Sequence, residues 1–281
     1  LNGSGSTVIN FHFESDNGKV YMKIATFNIN GIKARLPALL EWLKETNPDI
    51  AMLQEIKSMD ELFPRDDIES LGYDIHTHGM KGFNGVAILS KYRLEDIMRG
   101  LPGDDQDIQT RYIEATVIGD NSSLRLCNLY LPNGNPTPGP KFDYKLKWME
   151  RLYERTCSLI KLEEPFLLAG DFNIIPQAED CWDTKVWEND AAYLPESRAA
   201  YRKILNLGLT DAFRAKNPSA MNYTFWDYQA GAWNKNNGIR IDHFLLSPTC
   251  ADKLIDCQSD RECRAKDKPS DHVPVWVELE I

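Results

Sequence analysis

The sequence predicts an α/β sandwich, two packed mixed β-sheets flanked by helices. Three observations point there. Strand-like and helix-like patterns alternate along the chain instead of segregating into halves. Turn signals such as Asn84-Gly85 and Gly119-Asp120-Asn121 mark antiparallel hairpins. Polar side chains recur at or near the ends of apolar strands, where the loops at one end of a sandwich can gather them. The 281 residues suit one large domain, and no Pro/Gly/Ser-rich linker divides the middle.

Lys and Arg total 32 and Asp and Glu 42, a net charge of −10. That balance argues against nucleic-acid binding through overall charge. It leaves room for a local basic groove, because potentials at a surface are set by nearby charges. No apolar run is long enough to span a bilayer, and no cleavable signal pattern opens the chain, so the expectation is a cytoplasmic protein without a membrane partner. The six cysteines include no Cys-x-x-Cys pair, which argues against a zinc site. Reduced thiols fit a chain of this length better than disulfides.

Taken in order, residues 1–21 differ from the rest. Gly3-Ser4-Gly5-Ser6 reads as an appended linker and Met22 as a natural start. Alternating Ile9, Phe11 and Phe13, with Asn17-Gly18, predict a small surface hairpin in this leader. A single domain is expected over 22–281. A strand over 22–27 ends in Asn28-Ile29-Asn30-Gly31. Pro37 opens a helix carrying Leu39, Leu40 and Leu43 on one face, and Asn47-Pro48 stops it. A second apolar strand, 50–53, ends in Gln54-Glu55. His76 and His78 alternate on a strand and read as surface or packing residues. Asn84-Gly85 turns into a core strand over 86–89. Strands over 111–117 and 123–129 form a hairpin, and the second runs into Tyr130.

A helix is expected over 141–161. Lys141, Lys145 and Lys147 at its start form a local basic patch. The apolar run Pro165-Phe166-Leu167-Leu168 reads as a buried strand ending in Ala169-Gly170-Asp171-Phe172-Asn173. Trp182 and Trp187, in the long connection that follows, read as packing anchors. A helix over 196–207 precedes a strand-like aromatic run over 223–228, a flexible loop over 231–238 and a strand over 239–246. Asp242 lies inside that last strand, and a lone acid there needs a partner. The natural one is His272, just before a final strand over 273–279. An Asp–His pair orients the imidazole and raises its basicity.

Seven motifs in this order resemble the exonuclease III family of class II abasic-site endonucleases, within the deoxyribonuclease I-like phosphoesterase superfamily. They are Asn28-Ile29-Asn30-Gly31, Leu53-Gln54-Glu55, Asn128-Leu129-Tyr130, Gly170-Asp171-Phe172-Asn173, Phe225-Trp226-Asp227, Arg240-Ile241-Asp242 and Ser270-Asp271-His272. Each is weak alone; together they are specific, and the resemblance covers 22–281. It implies a four-layer sandwich, the endonuclease/exonuclease/phosphatase fold. It also implies a monomeric enzyme that cuts the phosphodiester 5′ to abasic sites in double-stranded DNA. Exonuclease activity in the 3′→5′ direction and 3′-phosphatase activity on blocked ends would accompany this. Mg²⁺ is the implied cofactor, with Mn²⁺ as a substitute.

By the same resemblance, Glu55 is the principal Mg²⁺ ligand, with Asn28 and Asp271 beside it. Asp171 handles protons on the attacking water or the leaving group. Asn173 and Tyr130 hold the scissile phosphate, and His272, oriented by Asp242, is the catalytic histidine. Arg111 matches a DNA-contacting arginine; Lys141 is expected to contact DNA as part of the basic patch, not from the resemblance. Phe225 and Trp226 form the aromatic wall that accepts a base-free sugar; neighbouring residues of a strand face opposite ways, so Phe225 is expected at the sugar and Trp226 in the core. Ile239 stands where some relatives carry a bulkier wall residue, and His243 is given no role. The rival readings are a phosphatase of the same superfamily acting on inositol or lipid phosphates, and a nucleic-acid-binding relative without catalysis.

Overall fold

The computed structural model describes residues 20–119, 123–219 and 221–281. The leader hairpin expected before Val20 lies outside these residues, as does the tip of the 119–121 turn. The strands, in chain order, are β1 (Tyr21–Asn28), β2 (Ile50–Gln54), β3 (Asp74–His78), β4 (Val86–Ser90), β5 (Leu94–Arg99), β6 (Tyr112–Ile118), β7 (Ser123–Tyr130), β8 (Phe166–Asp171), β9 (Thr210–Asp211), β10 (Asp242–Leu246), β11 (Leu254–Ser259) and β12 (Val275–Glu280). The helices are α1 (Ile32–Thr46), α2 (Arg65–Glu69), α3 (Pro140–Ile160), α4 (Thr184–Trp187), α5 (Pro195–Leu205), α6 (Ala212–Lys216), α7 (Ala232–Lys235) and α8 (Pro248–Ala251).

Two six-stranded sheets result, in the spatial orders β11-β12-β1-β2-β4-β3 and β5-β6-β7-β8-β10-β9. Each sheet holds one parallel pair, β1 with β2 and β7 with β8, and its other neighbours are antiparallel. Parallel neighbours need a crossover, and α1 and α3 supply it. Side chains of both sheets meet between them, Ile24, Met52 and Ile88 from one and Leu126, Leu167 and Phe244 from the other. The outer face of the first sheet packs on α1 through Phe27, Leu53, Trp42 and Leu43. The outer face of the second packs on α3 and α5 through Leu168, Trp148, Leu152 and Tyr201. This is the four-layer sandwich. Strands buried on both faces cannot alternate apolar with polar, which is why β2, β4 and β8 read as unbroken apolar runs, buried at every residue.

Several boundaries differ from expectation for physical reasons. Helix α1 begins at Ile32, and Pro37 lies inside it. Ile32 shares the buried face with Leu39, Trp42 and Leu43, and that burial outweighs the hydrogen bond Pro37 cannot donate. Strand β10 begins at Asp242, because Ile239 bridges to Cys181 and Phe225 and the Arg240 N–H donates to Asp180 O. Strand β12 begins after Pro274, which cannot donate to a ladder. The aromatic run over 223–228 is irregular apart from bridges from Phe225 to Ile239 and His272. The 231–238 stretch contains α7, so it is no featureless loop. Lys145 is fully buried, so the basic surface at the start of α3 reduces to Lys141 and Lys147. The six cysteines are free, as expected.

Candidate active site

The parallel pairs place the site. Parallel strands end at the same edge of a sheet, so Asn28 at the end of β1, Glu55 just after β2, Tyr130 ending β7 and Asp171 ending β8 arrive together. Strand β10 runs antiparallel to β8 with Asp242 opposite Asp171, and β12 runs antiparallel to β1. The residues at and before their starts, Asp242 and His272, therefore reach the same edge. Between the sheets, Gln54 Nε2 donates to Asn128 Oδ1 at 2.7 Å, and Asn128 Nδ2 donates to Leu53 O and Ala87 O. This buried polar clamp fixes the two strand ends beneath the site.

Gly170 is required by the approach of β7 to β8. A Cβ there would lie 1.9 Å from Leu129 O, and φ is +148°. The residues after the strand ends bend sharply. Glu55 (φ 50°) and Asn173 (φ 47°) take left-handed backbone conformations that cost a non-glycine residue energy and concentrate at functional sites.

A cavity of about 150 Å³ opens at this edge. Glu55, Tyr130, Asp171, Asn173, Asp271 and His272 line its polar part; Trp187, Phe225 and Ile239 line its apolar part. His272 Nδ1 lies 2.9 Å from Asp242 Oδ2, and its Nε2 lies 3.8 Å from Asp171 Oδ2. Thr224 Oγ1 also donates to Asp242 Oδ2, at 2.6 Å. Burial opposes a charge on His272, but the Asp242 and Asp171 carboxylates outweigh it and raise its pKa to about 10. Burial pushes Asp171 up, with Asp242 adding to it against His272, to about 7. Burial works against ionisation of Glu55 too, but hydrogen bonds from Lys57 and Asn28 overcome it and hold Glu55 below its ordinary value. Burial, with Glu55 and Asp171 alongside, holds the Tyr130 phenol well above its ordinary value.

Asn28 Nδ2 donates to Glu55 Oε1 and Asp171 Oδ2, each at 2.9 Å, while its Oδ1 accepts from the Asn30 N–H. Asn28 is therefore buried behind the carboxylates and orients them. Donor atoms of Glu55, Asp171 and His272 all lie within 4.8 Å of one another. Two of the three, Glu55 and Asp171, offer carboxylate oxygens, which suit a hard divalent cation.

Arg111 stacks over the Tyr130 ring at 4.8 Å, at the edge of the cavity. Phe225 packs edge-to-face on His272 at 5.0 Å. Trp226 is fully buried, donates to Asn236 Oδ1 and packs against Trp233, so it is no part of the wall. Lys141 is exposed at the start of α3 and does not line the cavity. Asn133 and Asp190, which sequence reasoning did not single out, line it, as does Trp187, read from sequence as a packing anchor. Asn133 has a weak signal, three residues past a strand-end tyrosine. Trp187 has none beyond its size.

Comparison with known proteins agrees with this geometry. The profile of the Endonuclease/Exonuclease/phosphatase family matches residues 25–272. The exodeoxyribonuclease III of Haemophilus influenzae is 38% identical over 266 residues, covering 92% of this chain and all of that protein. An AP endonuclease structure from Archaeoglobus fulgidus superposes with a TM-score of 0.88 at 37% identity, covering 92% of this chain and 100% of that one. The 3′ phosphatase NExo from Neisseria, solved bound to a product DNA hairpin, superposes with a TM-score of 0.89 at 38% identity over the same shares. By its sandwich, its strand-end residues and these matches, the chain belongs to the Endonuclease/Exonuclease/phosphatase family.

Proposed function

We infer that this chain is a phosphodiester hydrolase of the exodeoxyribonuclease III and AP endonuclease type, acting on double-stranded DNA. We propose that it incises 5′ to abasic sites and trims or dephosphorylates blocked 3′ ends, as a monomer acting on DNA in the cytoplasm. The observation that carries this reading is the buried Asp242–His272 pair set against Asp171, above a cavity with one aromatic wall.

The residues divide the chemistry. His272 keeps its proton, so it can donate to a phosphoryl oxygen, and Asp242 fixes its orientation. Asp171, with its pKa near neutrality, can take or give a proton at Oδ2. Asn173 and Tyr130 offer further donors to the anionic phosphate. A bound Mg²⁺, held by Glu55 with Asp271 beside it, would polarise a phosphoryl oxygen; Mn²⁺ would fit the same carboxylates. Phe225 and Ile239 face a space suited to a sugar without its base. Arg111, stacked on Tyr130, and the exposed Lys141 would meet backbone phosphates.

The test uses one preparation on abasic, nicked and 3′-phosphate duplexes, with inositol-phosphate release measured beside them. Incision of abasic DNA without inositol-phosphate release supports the reading. Phosphate release from inositol phosphates with intact DNA left uncut would replace it with the phosphatase reading.

A further inference from the structure

Lys145 lies on α3 with no exposed surface. A buried amino group needs acceptors, because an unsatisfied polar group in the interior is costly. Lys145 Nζ donates to Asn133 O at 3.0 Å and to Asn173 O at 2.7 Å. The two carbonyls belong to different loops, one following β7 and the other following β8. The same asparagines meet through their side chains, Asn133 Nδ2 donating to Asn173 Oδ1 at 3.3 Å, and both line the catalytic cavity.

The local backbone supports this connection. Asn173 holds a left-handed φ of 47°, which persists only where the surroundings enforce it. The Asn173 carbonyl accepts the shorter of the two Lys145 bonds. Lys145 itself is seated tightly: a Cβ on Gly134 would lie 2.6 Å from Lys145 Cδ. Burial lowers its pKa to about 7 against the pull of Asp190 and Asp171. Ammonium and neutral amine both carry at least two N–H donors, so both can serve two carbonyls.

We propose that Lys145 is a positioning residue for phosphodiester cleavage. From beneath the site it ties the loop after β7 to the loop after β8, and so fixes the side-chain amides of Asn133 and Asn173 over the cavity. The proposal rests on the phosphodiesterase reading above. Displacement of a positioned group by about 1 Å can cost on the order of 100-fold in rate.

The experiment is a double-mutant cycle of Lys145→Met and Asn173→Ala, read as single-turnover incision of abasic duplex, with duplex affinity and a thermal melt for each protein. Lys145→Met is expected to slow incision roughly 10–100-fold in the wild-type background. In the Asn173→Ala background it should slow incision by clearly less, because one of the two amides it positions is gone. Duplex affinity should change by less than about 3-fold. If Lys145→Met does not melt cooperatively, Lys145→Gln takes its place in the cycle. An equal rate loss in both backgrounds, or a full rate in a folded Lys145 variant, overturns the proposal. A wild type inactive on every DNA substrate would instead overturn the functional reading on which it rests.

Discussion

Asp242 was legible from sequence because an ionisable residue inside an apolar strand demands a partner, and His272 was the one histidine placed to supply it. The structure sets them 2.9 Å apart. Two groups that act as one unit do not have additive losses. Removing either side chain should therefore slow incision by roughly 10²–10⁴-fold, and the Asp242→Ala/His272→Ala double variant should be little slower than His272→Ala. Multiplied losses in single-turnover assays would show independent roles. Glu55 is held ionised at the cavity, so Glu55→Ala should raise the Mg²⁺ concentration needed for half-maximal rate. EDTA should silence the wild type and added Mg²⁺ should restore it; full activity in EDTA would refute the metal assignment. Phe225 and Trp226 separate cleanly. Phe225→Ala should narrow the ratio of abasic to intact duplex incision, since an intact nucleotide carries a base that costs a few kcal/mol to unstack. Trp226→Ala should leave that ratio alone and cost about 3–5 kcal/mol of stability, read by denaturant titration. The reverse pattern would exchange the two roles. Asn133 was passed over, Trp187 read as a packing anchor and Lys145 as part of a basic patch, and the three share a reason. Each reaches the site from a loop or helix whose neighbours are set by tertiary packing, and no local pattern encodes that.

Among the elements, the buried central strands were the easiest to read. Unbroken apolar runs mark β2, β4 and β8, since both faces are covered. The strands that sequence missed, β5, β9 and β11, are all sheet edges. An edge strand has one partner and partial burial, and β5 and β11 also break register within their ladders. Their sequences carry polar residues and irregular spacing, so periodicity fails there. Gly170 illustrates what strand contact demands. Its motif was visible, yet the reason for the glycine lies in β7, whose Leu129 O leaves no room for a Cβ. Gly170→Ala should distort the β7–β8 pairing that carries Tyr130 opposite Asp171. The expected cost is more than about 3 kcal/mol, since strain and backbone collision act together. Urea titration and incision rate should fall together, and a variant with wild-type stability would show that the two strands can separate without penalty.

At the scale of the whole molecule, the catalytic edge is braced by a buried ionic network just beyond β10. Arg240 contacts Asp180 at 2.6 Å and Asp211 at 2.9 Å, and Arg214 also pairs with Asp180. These residues join β9, α6, the segment before β10 and the long connection after β8. His243, given no role from sequence, belongs here. Its Nδ1 lies 3.0 Å from Arg240 Nη1, which donates, so its Nε2 carries the proton to Ile174 O at 2.9 Å. Burial, then the Arg240 charge, lower its pKa from 6.5 to about 4. The sign follows from proton binding. Between pH 6.5 and about 4 the unfolded chain takes up a proton on this histidine and the folded chain does not. Stability is therefore intact above that window and falls as pH drops through it. The displacement corresponds to roughly 3 kcal/mol for a fully buried group. Asp180 and Asp211 are held below their ordinary values against burial by Arg240, so they add a further loss at lower pH. His243→Gln keeps an acceptor toward Arg240 and a donor toward Ile174 but cannot titrate. The wild type should therefore lose stability relative to this variant as pH falls from 6.5 to 4.5, on top of the opposite Asp171 contribution that both proteins share. Parallel pH curves for the two proteins in urea titrations would mean that His243 is not the group behind the decline.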